Sequence, residues 1–516
     1  MVDRRRFLMA LGALGATSAL AQYNAKPRFA ASPFTLGVAS GYPQPGGVVL
    51  WTRLAPVPLA PNGGMPAEVV PVRWEIARDD AMKAIVGQGT AYAEPEWAHS
   101  VHVELNGLQP ARPYWYRFAA GDAVSPVGRT QTAPAAGARI NRLRFAFVSC
   151  QHWEHGYFGA YRHVVADAPD VLLHLGDYIY EFSSARELVR SHGTGEAITL
   201  GDYRARYALY KTDPDLQAAH AACPWLVTWD DHEVENDYAD DRSQSLDPPE
   251  WFLARRAAAY KAWYEHMPAP RSMLPFGPHA RIYGRAGFGS LLNFFVLDNR
   301  QFRSHEACPR PGRGGSNSVD PTQCAELADP KRTMLGAAQE QWLEASLGAS
   351  RARWNVIAQQ TRMAQMDEQP GPGRRAWTDS WDGYPAARKR LLEALAAKPN
   401  PVVIGGDIHS FNVNQLKLDF DDAASPVVGA EFVGTSISSN GWPQERLDAL
   451  RADNPHVLLA DSRYRGYVRV EVTPTELRAD LRALDSVATR DSKCTTLASF
   501  IVEDGKPGPR NSGSGQ

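Results

Sequence analysis

The sequence predicts an α/β fold, an α+β sandwich of sheet and helices, over residues 140–500, preceded by an all-β sandwich over residues 33–135. Three observations predict it. Between Pro33 and Ala133 the apolar residues fall in short β-branched or alternating runs bounded by Gly and Pro. From Arg142 onward, nearly continuous apolar runs alternate with longer helical or irregular segments, as expected of strands buried on both faces beneath helices. The chain has 516 residues, more than one small core organises, so two domains are expected.

In the first region the strand candidates are Val48 to Trp51, Val69 to Ile76 and Val101 to Leu105. Leu105-Asn106-Gly107-Leu108-Gln109-Pro110, followed by the alternating aromatics Tyr114-Trp115-Tyr116-Arg117-Phe118, resembles the corner of a fibronectin- or immunoglobulin-type sandwich. Ala133 to Gly137 reads as a linker. In the second region the runs are Leu143 to Val148, Val171 to Leu175, Trp225 to Trp229, Leu291 to Leu297, Trp354 to Ala358 and Val402 to Ile404. Asp247-Pro248-Pro249 predicts a capped helix start ahead of Phe252, Leu253, Tyr260 and Trp263, and Gln339 to Leu347 predicts another helix. Residues 505–516, rich in Gly, Pro and Ser, are expected to be a disordered tail.

Charge excludes one class of partner. The formal net charge is −2, and no basic run appears beyond Arg4-Arg5-Arg6, so there is no nucleic-acid-binding patch. Those arginines precede Phe7-Leu8 and a mildly apolar stretch ending Ala19-Leu20-Ala21, which has the parts of a secretory signal over residues 1–21. The paired arginines resemble a twin-arginine signal, implying the twin-arginine export machinery as a partner and a periplasmic or extracellular location. The run is shorter than the roughly 20 residues that span a bilayer, so no stable membrane anchor is expected after processing. Of five cysteines, Cys308 and Cys324 flank a polar loop, and a disulfide between them suits an oxidising compartment.

Chemistry sits where the strands end. The successive runs are followed by Ser149-Cys150, Gly176-Asp177, Asp230-Asp231-His232-Glu233, Asp298-Asn299-Arg300, Gln359-Gln360 and Gly406-Asp407-Ile408-His409. In an open α/β sheet such positions line the ligand crevice. Carboxylates crowded there repel one another and partly protonate unless cations neutralise them. Any one of these residues has a plain structural reading, such as a helix cap or an inert thiol. Their joint occurrence at consecutive strand ends points to a metal cluster.

Gly176-Asp177, Asp231-His232-Glu233 and Gly406-Asp407-Ile408-His409 resemble the ordered blocks of the calcineurin-like metallophosphoesterases. Two departures put Asp231 where Asn is usual and Asp407 where His is usual, each adding anionic oxygen. The wording of Ser149-Cys150-Gln151, Gly176 to Glu181, Thr228 to Glu233, Asp382 to Pro385, Glu431 to Ser436 and Tyr464 to Arg469 resembles the PhoD-like alkaline phosphatases and phosphodiesterases. This second resemblance runs over nearly the whole mature chain.

It implies a metal-dependent hydrolase of phosphate-ester substrates. One Fe3+ would be held by Cys150, Asp177, Tyr180 and His409. One or two Ca2+ would lie beside it, with Asp177 bridging, Asp231 and Asp407 as ligands, and Asp230 or Asn236 as further contributors. Thiolate and phenolate suit a trivalent metal, and carboxylate oxygen suits calcium. Tyr180 reaches the metal of Asp177 only if the chain turns between them. A metal-bound hydroxide attacking phosphorus in line is the expected chemistry. His232 is the candidate proton donor, or else it orients Asp231. Arg300 is either a phosphate clamp or an exposed structural salt bridge, and Gln360 lies where related enzymes place a further ligand. Two other readings compete: a non-catalytic, exported, metal-stabilised binding protein, and a zinc hydrolase, which so few strand-end histidines fit poorly.

Overall fold

Adjacent residues of a strand face opposite sides of its sheet, and the strand Leu143–Val148 shows what that means here. Phe145 and Phe147 enter one apolar core while Ala146 and Val148 enter another. The computed structural model describes residues 22–513 except 185 and 187. Within it the apolar runs divide between two sheets rather than building one.

The first sheet has ten strands. Leu143–Val148, Val171–His174, Pro224–Val227 and Val38–Gln44 run parallel to one another in that order, flanked by antiparallel strands on both sides. The second has seven, with Leu292–Val296, Trp354–Ala358, Pro401–Gly405 and Val427–Val433 parallel at its centre. The sheets pack face to face through Phe145, Phe147, Leu173, Phe294, Val356, Ile404 and Val468. Phe145 meets Phe294 edge to face, with ring centroids 5.0 Å apart.

Helices cover the outer faces. Ala160–Asp167, Leu200–Lys211, Pro214–Ala222 and Pro249–His266 pack on the first sheet, and Gly336–Ala349 and Pro385–Ala396 on the second. A strand between a second sheet and a helix layer is apolar on both faces, just as one between two helix layers is. That equivalence is why the sequence suggested a single helix-covered sheet.

The N-terminal sandwich is not a separate body. Glu68–Ala77, Ile85–Ala93 and Pro113–Ala120 form one of its sheets with three shorter strands. Its other layer, Val38–Gln44, Gly47–Arg53 and Ser100–Leu105, is the end of the ten-stranded sheet, joined where Ser40 and Gly41 pair with Pro224 and Trp225. Val38, Leu50 and Val103 pack between the layers against Val72, Tyr116 and Phe118. Trp51 Nε1 donates to the Glu265 carbonyl at 3.1 Å, tying the same layer to a helix of the larger unit.

Two smaller expectations are corrected. The helix from Pro249 begins as expected, but no side chain caps it; the Asp247 N–H is turned back onto Ser243 Oγ at 2.8 Å. The tail is not disordered through its described part. Arg510–Gly513 forms an edge strand on Cys494–Glu503, held by backbone pairing that composition does not reveal, with Arg510 Nε 2.6 Å from Glu503 Oε1. The bond between Cys308 and Cys324 is present, with Cα atoms 6.1 Å apart. Residues 1–21, where the export signal is expected, lie outside the described residues. Among the described residues no helix is long and apolar enough to cross a membrane.

Candidate metal centre

The carboxyl ends of the parallel strands of both sheets meet at one edge, and the loops leaving them interlock. Cys150 N–H donates to the Gly176 carbonyl at 3.2 Å and Gln151 N–H to the Asp177 carbonyl at 3.0 Å. Glu233 gathers three amides: Tyr178 N–H at 2.6 Å on one oxygen, and Asp177 N–H at 3.0 Å and Asp230 N–H at 2.8 Å on the other. Gly176 sits at φ 109°, and a Cβ there would lie 2.4 Å from the Cβ of Asp230, so only glycine lets these two loops touch.

The backbone is strained where the sequence placed its ligands. Cys150, Asp177, Asp407 and His409 all adopt positive φ, at 59°, 56°, 66° and 51°. Each such non-glycine residue costs on the order of 1–3 kcal/mol and persists only when its surroundings over-determine it. The strain aims side chains from three loops at one point. One ligand-type atom each from Cys150, Asp177 and His409 lie within 4.8 Å of one another. Tyr180 joins them because the chain does turn after Asp177. Its hydroxyl lies 2.9 Å from Asp177 Oδ2 and 3.1 Å from His409 Nε2. The helix Leu200–Lys211 fixes that turn: Tyr210 Oη accepts the Tyr180 N–H at 3.2 Å, and Arg206 donates to the Tyr180 carbonyl.

Hydrogen bonds set the protonation of these groups. His409 Nδ1 lies 2.6 Å from the Asn440 carbonyl, so it carries the proton and leaves Nε2 with its lone pair facing Tyr180. Burial and the nearby Arg465 push His409 down to about 3, so the ring is neutral. Ser439 Oγ lies 2.7 Å from the Tyr180 hydroxyl, and Arg465 braces the same loop through the Ser439 and His409 carbonyls at 2.7 and 3.0 Å. Burial first, and Asp177 second, hold the Cys150 thiol well above its ordinary value; it becomes a thiolate only beside a cation.

A second cluster shares Asp177. It brings Asp177, Asp231 and His232 within 4.8 Å, all buried. Asp231 receives His232 N–H at 3.0 Å on one oxygen and Asp237 N–H at 2.6 Å on the other. Burial opposes its charge, but Arg300, His232 and that amide outweigh burial and hold its carboxyl below the usual range. Asp407 accepts from Thr361 Oγ1 at 2.5 Å, and burial followed by repulsion from Asp379 pushes it up to about 7. Asp177 is held well above the carboxylate range by burial, then by Asp231 and Asp230 against His232, and its Oδ1 is buried without a hydrogen-bond partner. Thiol, phenol, imidazole and carboxylate at one point, with an orphaned carboxylate oxygen, fit a metal centre. His232 is oriented by Glu181, whose Oε2 lies 2.8 Å from Nδ1, while Glu181 Oε1 accepts the Asn236 N–H at 2.8 Å.

The remaining candidates are tied to neighbouring loops and strands. Arg300 is buried and bonded to Asp230 through Nε and to Asp379 Oδ1 at 2.7 Å through Nη1, with Asp231 3.7 Å from Nη2. The ion pair is buried rather than exposed, it occupies an oxygen of Asp230, and Arg300 Nη2 is buried without a hydrogen-bond partner. Gln360 Nε2 bonds Thr228 Oγ1, the Trp229 carbonyl and the Leu297 carbonyl at 2.7–2.9 Å, stitching the two sheets together; its Oε1 is buried without a partner. Asn236 contributes its backbone amide. Sequence reasoning assigned no role to Glu181, Glu233, Thr361, Asp379, Ser439 or Arg465. Glu181, Glu233 and Arg465 stood inside recognised motifs, whereas Asp379 and Ser439 carried no local signal.

Residues 145–481 match the family described as PhoD-like phosphatase, and residues 18–134 match its N-terminal domain. The chain belongs to the PhoD-like phosphatase family. It is 46% identical to alkaline phosphatase D of Bacillus subtilis (strain 168), over 98% of this chain and 89% of that one. The solved structure of PhoD superimposes with a TM-score of 0.90 at 46% identity, covering 95% of this chain and 94% of its own. A purple acid phosphatase from yellow lupin seeds shares the fold, with a TM-score of 0.54 at 11% identity over 90% of this chain and 73% of that one. The interlocked strand ends described above are thus those of a PhoD-like fold.

Arg300 separates two outcomes. Arg300→Ala leaves Asp230 buried without its guanidinium partner and Asp379 with Arg303 alone, so it is expected to destabilise the protein by about 3–5 kcal/mol in denaturant unfolding. Unchanged stability with a raised KM would instead make Arg300 a substrate clamp.

Proposed function

We propose that this chain is an exported phosphoesterase that hydrolyses phosphate mono- or diesters at a mixed iron and calcium centre. The observation that carries the reading is the convergence of Cys150, Asp177, Tyr180 and His409, with Asp231 and Asp407 beside them. Family membership with a curated alkaline phosphatase supports the reaction class. The donor set supports the metals. Thiolate, phenolate and imidazole nitrogen favour one Fe3+, and Asp177, Asp231 and Asp407 favour one or two Ca2+. Nothing in the site favours a non-catalytic binding role.

When bound, the ions would lower the pKa of a coordinated water and stabilise charge on the phosphoryl oxygens. The protein's own residues do the rest. Asp177 faces both clusters and sets their spacing. His409, with its proton fixed on Nδ1, presents a neutral lone pair. His232 is held in the opposite sense: burial would lower its pKa, but Glu181, Asp231 and Asp177 overcome burial and keep it protonated above its ordinary value. With Glu181 on Nδ1, its Nε2–H is the proton available to a leaving alkoxide.

Two experiments test this reading. Cys150→Ala is expected to remove iron, and with it the visible tyrosinate-to-iron absorption, while far-UV dichroism stays unchanged. Iron content equal to wild type would refute the ligand assignment. Replacing Arg4 and Arg5 by Lys is expected to hold the precursor in the cytoplasm, and normal secretion of the folded protein would refute twin-arginine export.

A further inference from the structure

The polar loop closed by Cys308 and Cys324 lies against the acidic half of the centre. Its middle, Gly314-Gly315-Ser316-Asn317-Ser318, touches two of the limbs that carry site residues. On one side Gly314 N–H donates to the Gln244 carbonyl at 2.9 Å. Gly315 sits at φ 77°, and a Cβ there would come within 2.8 Å of the Cβ of Asp237. Ser316 bonds Asp237 Oδ2 twice, through its hydroxyl and through its N–H at 3.1 Å, and Gln244 Nε2 adds a third bond at 3.1 Å. Asp237 itself stands at a strained φ of 54°, and its N–H reaches Asp231 Oδ2 at 2.6 Å.

On the other side Asn317 N–H donates to Thr378 Oγ1 at 2.8 Å, and Thr378 N–H returns to the Asn317 carbonyl at 2.9 Å. The next residue, Asp379, binds both Arg300 and Arg303 at 2.7 Å. The loop is anchored at its own end as well: Asn317 Nδ2 donates to the Cys308 carbonyl at 2.9 Å, and Cys308 N–H to Glu326 Oε2 at 3.0 Å.

We propose that this disulfide-closed loop is a latch for the calcium side of the centre, in which Ser316 and Asp237 are positioning residues that hold Asp231 in its ligating orientation. A turn in which the Val234 and Glu235 N–H groups donate to the Asp231 carbonyl at 2.8 Å brings Asp237 back to Asp231, but it leaves the positive φ of Asp237 to be held from outside the turn. Three bonds to its carboxylate hold it there, and Ser316 makes two of them. The disulfide keeps Ser316 in reach by tying the loop at a sequence separation of 16 residues. Without it the loop gains conformational freedom, and docking Ser316 on Asp237 costs correspondingly more. The iron side, built on Cys150, Tyr180 and His409, does not touch the loop through any of these bonds. Cation loading at the two positions therefore responds differently to loss of the latch.

The inference rests on Asp231 being a ligand of the second cation, and the test separates the two claims. Wild type, Ser316→Ala, Ser316→Thr and the double variant Cys308→Ser/Cys324→Ser are each dialysed against a calcium chelator. Calcium binding is then measured at equilibrium, with iron content determined on the same samples. Losing an outer partner of a metal ligand typically weakens the metal about 10- to 100-fold. That weakening is expected for Ser316→Ala and for the double variant, with iron retained, and Ser316→Thr is expected to restore wild-type affinity. Equal calcium affinity in Ser316→Ala and wild type overturns the latch while leaving the metal reading intact, and so does a Ser316→Thr variant as weak as Ser316→Ala. Iron and calcium lost together also overturn it, because the loop would then be general scaffolding. Should the double variant fail to fold, the serine pair decides alone. A wild-type protein that binds no calcium removes the metal reading, and the latch with it.

Discussion

Charge burial is the constraint from which the rest of this molecule follows. Asp177, Asp230, Asp231 and Asp379 are buried at one edge of the fold beside the half-buried Asp407, with Arg300 and Arg303 placed among them. The arginines settle part of that charge: Asp231 and Asp379 sit below the usual carboxylate range, with both guanidinium groups among the causes. Asp177, Asp230 and Asp407 stay above it, led by burial. The protein alone therefore disfavours the charged forms of these carboxyls, of the Cys150 thiol and of the Tyr180 phenol. Cations reverse that, and the structure is arranged so that they have a place to do so.

The two-sheet architecture serves the same end. Each sheet delivers its parallel strands' carboxyl ends to the shared edge, so Cys150, Asp177 and Asp231 come from one sheet and Asp407 and His409 from the other. Gln360 and the Arg300–Asp230 pair bridge the sheets directly beneath the centre. Four strained residues then turn their side chains inward, and Glu233, Tyr210, Arg206 and Arg465 hold those turns. The cost of the strain and the burial is borne by an extended hydrophobic core that lies well outside the chemistry.

Much of this was legible in the sequence because strand ends are local. An apolar run followed by Gly-Asp or Asp-Asp-His-Glu places its polar residues at a rim whatever the rest of the chain does. Tyr180 was harder, since it needed a turn held by Glu233 from another loop and by Arg206 and Tyr210 from a later helix. The pairing of Asp230 with Arg300 joins residues 70 apart and has no periodic signature. Two sheets were indistinguishable from one, because Phe145 and Ala146 are both apolar wherever their partners lie. The Arg510–Gly513 strand was invisible for a related reason: its pairing is made by backbone, which a Gly- and Ser-rich segment supplies as well as any other.

The account is tested most directly by diffraction from crystals of the purified protein, collected on both sides of the iron absorption edge. It predicts one iron peak in contact with Cys150 Sγ, the Tyr180 hydroxyl and His409 Nε2. Further density without an iron signal should lie on the Asp231 side of Asp177. An iron peak elsewhere, or none in an active protein, would contradict it.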